Sequence, residues 1–186
     1  MPFTKTNIPG LLLFEPRVFE DSRGYFFESY NANTFSAEGV NSVFVQDNQA
    51  KSSYGVIRGL HYQLAPHAQT KLIRVLSGAI LDVAVDIRKG SPAYGQVFAI
   101  ELSAENKKQL LVPKGFAHGY SVISETAEVM YKCDEFYHKQ SEAGIAYNDA
   151  ALGIDWQVPA NKAVVSEKDL LYPGIDNCVN NFVFGA

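Results

Sequence analysis

The apolar runs of this chain are short, rich in Val, Ile, Phe and Tyr, and each is bounded by Gly, Pro, Asn or Ser. Residues 24–30, 56–63, 71–76, 81–87, 96–102 and 128–133 all have strand length and strand composition. In the fourth run Leu81, Val83, Val85 and Ile87 alternate with Asp82, Ala84 and Asp86. Period-two alternation puts an apolar row on one face and two carboxylates on the other. Ser77-Gly78 separates two of these runs and predicts a tight hairpin turn. Only residues 33–38, closed by Gly39, predict a helix, and it is short. Many short strands at this spacing predict an all-β sandwich or barrel with few short helices. From Ala160 onwards the pattern weakens, and the tail is expected to wrap back over the sheets.

A length of 186 residues fits one large domain, here taken as residues 1–186, with enough apolar content (47%) to fill a core. Charged residues make up 19% and the net charge is −4, which excludes a disordered chain. No Lys/Arg stripe exists to neutralise a nucleic-acid backbone, so an anionic ligand would be met by a few placed cations. The N-terminal stretch lacks a secretory pattern, and no run approaches the roughly 18–20 apolar residues of a membrane span. Cys133 and Cys178 read as free thiols. A cytoplasmic protein with neither membrane nor nucleic-acid partner is expected.

Four histidines are available for chemistry: His61, His67, His118 and His138. A metal site in a small barrel usually needs an H-x-H pair with a carboxylate and a later His. No H-x-H occurs, and His61 and His67 are separated by a proline, so no metal is expected. His138 lies in a polar stretch that reads as a solvated loop. His61 ends an apolar strand that contains Arg58, and burying a guanidinium without an anion is costly. His118 lies among glycines that permit close approach to a ligand. Lys71 and Arg74 share a strand and, on alternation, face opposite sides. Cations inside strands of an acidic protein suggest a cavity for an anion such as a phosphate ester. Tyr131, among apolar residues, reads either as a hydrogen-bonded core phenol or as a general acid. The segment 166–169 is either a polar turn or the source of a carboxylate for a histidine. Residues 21–28, by themselves, read as a turn and an edge strand with Phe26 and Glu28 on one face.

Taken in order, the segments DSRGYFFE (21–28), QDNQAKSSYGVIRGLHYQ (46–63), QTKLIRVLSGAILDVAVDIRKGSPAYG (69–95), PKGFAHGY (113–120), VMYKCDEFY (129–137) and SEKD (166–169) resemble one family. It is the dTDP-4-dehydrorhamnose 3,5-epimerases, the sugar-nucleotide epimerase branch of the cupins. The likeness covers nearly the whole chain. It implies a cupin-type jelly-roll β-barrel, a homodimer with strand exchange, and no metal or cofactor. The implied reaction inverts C3 and C5 of a dTDP-4-keto-6-deoxyhexose on the route to dTDP-L-rhamnose. Carried over residue by residue, His61 resembles the base, Asp169 the carboxylate that orients it, Lys71 the enolate stabiliser and Tyr131 the opposing acid. Arg23, Glu28, Gln46, Asn48, Arg58, His118, Glu142 and Lys168 match positions that contact the nucleotide, diphosphate or sugar. If the N-terminal strands exchange, Arg23 and Glu28 serve the partner's site.

Departures from the family pattern are Ala50 for serine, Ala93 for threonine and Tyr94 for phenylalanine. None removes a proposed catalytic group. Two other readings compete. A mono-epimerase of another 4-keto sugar nucleotide would use the same groups, and a non-catalytic sugar-nucleotide-binding cupin would not need His61, Asp169, Lys71 and Tyr131 together.

Overall fold

The computed structural model of the chain describes residues 2–185. The strands are β1 (Phe3–Lys5), β2 (Leu12–Phe14), β3 (Phe19–Asp21), β4 (Gly24–Phe26), β5 (Gln46–Ser53), β6 (Val56–Gln63) and β7 (Lys71–Ser77). They continue as β8 (Ala79–Asp86), β9 (Val97–Ser103), β10 (Gln109–Val112), β11 (Phe116–Val122), β12 (Thr126–Cys133), β13 (Glu142–Gly144) and β14 (Val164–Val165). One α-helix, α1 (Ala32–Ser36), starts where the Asn31 side chain accepts from the backbone N–H of Asn33 and Thr34.

The strands form two facing sheets of a jelly roll. The first runs β1-β2-β10-β7-β12-β5 and the second β13-β6-β11-β8-β9, with β14 added in parallel to β6. β3 and β4 form a separate hairpin. Its strand ends at Phe26, short of the predicted residue 30.

Between the sheets lie Leu13, Ile73, Val75, Ile80, Leu110 and Val129 with their neighbours. The outer face of the second sheet is also covered: Leu81, Val83, Val85 and Ile87 pack with Trp156 and with Ile175 and Phe182 of the C-terminal tail. A buried aliphatic side chain of this kind contributes about 1.5–3 kcal/mol. The tail thus wraps over the sheet, as expected. A third cluster lays Phe35 of α1 on Leu12, Phe14, Leu72 and Leu111 of the first sheet.

Ser77-Gly78 does not close a hairpin. β7 belongs to the first sheet and β8 to the second, so this turn carries the chain across the barrel. Composition signals a turn but not which strands it joins. Gly78 is required because a Cβ there would lie 2.0 Å from the Thr126 carbonyl oxygen.

The two carboxylates of β8 point into the barrel rather than to solvent. Asp82 and Asp86 are fully buried, and Asp86 is held by Arg88 and Ser91. Strand β5, too polar to stand out in the sequence, pairs along its whole length with β12. Its inward residues line a cavity rather than a hydrophobic core, which explains its composition.

Candidate active site

The cavity, about 370 Å³, opens at one end of the barrel and is lined by Gln46, Asn48, His61, Lys71, Tyr131 and Glu142, among others. Alternation aims most of these inward. On β7, Lys71 shares the inward side with Ile73 and Val75, while Arg74 faces out against Phe27, its guanidinium carbon 5.3 Å from the ring centroid. The same rule turns Tyr131 inward on β12, and Gln46 and Asn48 inward on β5.

β6 breaks the alternation. The β6–β11 register shifts between His118 and Tyr120, so His118 opposes His61 and Tyr120 opposes Arg58. Gly59 at the irregularity has φ +131°, and a Cβ there would lie 2.6 Å from the Gly119 Cα. Arg58 and His61, three residues apart, therefore both serve the interior. Arg58 reaches across to the Ser52 hydroxyl of β5, donating at 3.1 Å and 3.2 Å. No carboxylate among the described residues pairs with it.

His61 Nε2 meets Asp169 Oδ1 at 2.7 Å. Asp169 is only 4% exposed, and its second oxygen accepts from the Gly59 N–H at 3.3 Å. Burial works against its ionised form. The hydrogen bond and charge of His61, with the Gly59 and Ser166 contacts, nonetheless hold the carboxyl below its ordinary range. Segment 166–169 thus delivers a carboxylate to a histidine 108 positions away in sequence.

Tyr131 stands on the facing sheet, with the Lys71 ammonium 5.9 Å from its ring centroid. Burial pushes the phenol up to about 12. Desolvation lowers the Lys71 ammonium below its ordinary value, partly offset by Cys133, Asp82 and Glu142. Glu142 is ion-paired with Lys168 and accepts from the Tyr137 hydroxyl at 3.0 Å. Burial opposes its ionisation, but the bonds from Lys168 and Tyr137 prevail and lower its pKa. His118 is buried beneath the cavity floor, its Nε2 2.9 Å from Asp82 Oδ1.

Ten of the twelve sequence-derived site residues therefore gather at the cavity or on its immediate supports. Arg23 and Glu28 do not. The Arg23 side chain is 88% exposed and bonded to Asp21, and Glu28 accepts from Asn31 at 3.1 Å. His138 is not simply solvated: it stacks on His67 with centroids 3.8 Å apart, and its Nδ1 meets the Ser141 hydroxyl at 2.9 Å. Sequence reasoning missed Asp82, Gln63, Gln69 and Tyr137. Only Asp82 carried a signal, as an inward-alternating carboxylate on an apolar strand. Among the described residues no three of His, Cys, Asp and Glu converge as a metal site.

A jelly roll whose open end holds a His–Asp pair facing a lysine and a tyrosine is a cupin-type barrel equipped for proton transfer. Residues 5–177 match the family model for dTDP-4-dehydrorhamnose 3,5-epimerase. The chain is 52% identical over 171 residues to the enzyme of that name from Shigella flexneri, covering 91% of this chain and 93% of the relative. The crystal structure of the Elizabethkingia anophelis enzyme of that name superposes with a TM-score of 0.91 at 50% identity, covering 94% of this chain and 96% of that one. A dTDP-6-deoxy-D-glucose-3,5-epimerase from Legionella pneumophila, solved in complex with dTDP-4-keto-L-rhamnose, gives 0.90 at 44% identity, covering 94% and 93%. The chain belongs to the dTDP-4-dehydrorhamnose 3,5-epimerase family.

Proposed function

We propose that this protein inverts C3 and C5 of a dTDP-4-keto-6-deoxyhexose, with His61 as base and Tyr131 as acid. The observation that carries this reading is the His61–Asp169 pair on one sheet side facing Tyr131 and Lys71 on the other. A C4 ketone acidifies the hydrogens on both neighbouring carbons, so one type of step serves twice. Asp169, held ionised, accepts from His61 Nε2–H and leaves the Nδ1 lone pair to take the carbon-bound proton. The electrons of the broken C–H bond form the enolate double bond, and those of the carbonyl move to O4. Lys71 stabilises the charge that collects there. Tyr131, which retains its proton at neutral pH, delivers it to the carbon from the opposite face. Each inversion leaves His61 with one proton more and Tyr131 with one fewer, and water at the open cavity mouth restores both.

Arg58, whose only side-chain partner among the described residues is the Ser52 hydroxyl, would take the diphosphate or sugar. Gln46, Asn48, His118, Glu142 and Lys168 complete the binding surface. A homodimer is part of this proposal. The β3–β4 hairpin exposes Phe19, Tyr25 and Phe26 by 52–67%, and on it Arg23, with Glu28 just beyond, would reach the partner's cavity. The unpaired Cys133 and Cys178 fit a reducing cytoplasm, and among the described residues no helix is long and apolar enough to cross a membrane.

Proton NMR of dTDP-4-keto-6-deoxyglucose with the protein in heavy water tests the reaction. Loss of signal at both C3 and C5 is expected. Loss at one carbon would replace the double epimerase by a mono-epimerase, and no exchange at either would overturn the catalytic reading.

A further inference from the structure

Asp82 is fully buried on the inward face of β8, yet only one of its oxygens is satisfied. Oδ1 accepts from His118 Nε2 at 2.9 Å, while Oδ2 has no hydrogen-bond partner among the described residues. A buried carboxylate left half-satisfied is expensive, since its desolvation is not offset by bonds of its own. A structural role alone would be filled at lower cost by an apolar residue, as Ile80 and Ala84 fill the same face of the same strand.

The surroundings show what the charge faces. His118 lies directly across from His61 in the β6–β11 ladder and joins Lys71 in lining the small space beneath the main cavity. The Lys71 ammonium has no ion-pair partner among the described residues. Around it are Tyr131 and Cys133 from β12, His61 from β6, His118 from β11 and Glu142 from β13, and Asp82 of β8 stands behind His118, its charge acting on Lys71 from there. Glu142 already serves Lys168 and Tyr137. Asp82 is therefore the one carboxylate in this group whose free oxygen is not committed elsewhere.

We propose that Asp82 is a positioning residue of this site. It orients the His118 ring and supplies the buried negative charge that keeps the Lys71 ammonium cationic at the cavity floor, where the substrate oxygen would take up charge. The inference rests on the proposed epimerase reading but adds a residue that touches no substrate atom. Burial draws Lys71 toward its neutral form, and Asp82 is among the groups that resist this. Without that charge, Lys71 would lose its proton at lower pH and enolate stabilisation would fail from the alkaline side.

The test is Asp82→Asn, which keeps a carbonyl acceptor for His118 and removes only the charge. The Lys71 side chain is followed by NMR of lysine labelled with ¹³C at Cε and ¹⁵N at Nζ, in wild type, in Asp82→Asn and in Lys71→Met for assignment. Its titration in Asp82→Asn is expected to move about one pH unit or more toward acid. In step, the alkaline limb of kcat should move by the same amount. On that limb kcat should fall about tenfold while KM and the affinity for dTDP change less than about twofold. Thermal unfolding of wild type and variant reports any general loss of structure, and Asp82→Glu should restore part of the alkaline limb. An unmoved Lys71 titration in a folded Asp82→Asn would overturn the inference. The NMR titration requires no turnover, so wild type failing to exchange the substrate would sink the epimerase reading and leave the Lys71 result standing by itself.

Discussion

At the scale of residues, the histidine proposed as base has one nitrogen fixed by a carboxylate from the far end of the chain. Asp169 is almost completely buried, and its pKa lies below the usual carboxylate value despite that burial. A depressed carboxyl stabilises the fold fully above its unfolded value of about 4, and that contribution is lost as pH falls through the folded value. Wild type should therefore exceed Asp169→Asn in stability by a constant amount above about pH 5, with the gap closing in more acid solution. Urea unfolding of both proteins across that range measures it, and a gap that widens toward acid would reverse the assignment. In the proposed reaction Tyr131 acts after the base. Tyr131→Phe should keep substrate deuterium exchange while cutting epimerised product by about 10²-fold or more. Equal and complete loss of exchange at both carbons would assign Tyr131 to the first proton transfer instead.

Elements set which of these side chains meet. Regular alternation would send Arg58 and His61 to opposite sides of β6, and the irregularity at Gly59 brings them to one. Gly59→Ala would set a Cβ at 2.6 Å from Gly119 Cα and 2.9 Å from the His118 carbonyl oxygen, at φ +131°. It should cost about 2–4 kcal/mol and lower kcat more than it raises KM, because the base itself is displaced. Gly90→Ala, with φ +81° and nothing within 4 Å of the added carbon, is the control. It should cost only about 1–2 kcal/mol and leave kcat unchanged. Denaturation and steady-state kinetics on the pair separate backbone strain from the clash beneath the site.

For the whole molecule, the cavity gathers groups from both sheets and from the tail, while two site candidates lie outside it. Arg23 sits on the exposed aromatic hairpin, bonded to its own Asp21 at 2.5 Å. If the hairpin docks on a second copy, Arg23→Ala should weaken dTDP binding several-fold although Arg23 does not line its own cavity. Mixed dimers of Arg23→Ala with His61→Ala should then regain one working site. Sedimentation and activity of the mixed species check this, and a monomer with full activity would remove the exchange.

Much of this was legible along the chain. Strand content followed from short β-branched runs, and the spacing of Lys71 and Arg74 put them on opposite sides of β7, while only the packing shows that Lys71 is on the inner one. The return of the weakly patterned tail over the sheets is also expected from the sequence, and Ile175 and Phe182 pack there. The family likeness singled out His61 in the segment 46–63, Lys71 in 69–95 and Tyr131 in 129–137, and the fold brings all three to one cavity. Local pattern could not say that Ser77-Gly78 crosses between sheets, that polar β5 is a full strand, or that His138 stacks on His67. Nor could it say that Asp82 stands behind His118 and Lys71 with an uncommitted oxygen. Periodicity records which side of a strand a residue takes. What lies across the barrel from it depends on pairings tens of residues apart, and those are fixed only when the two sheets close over their common core.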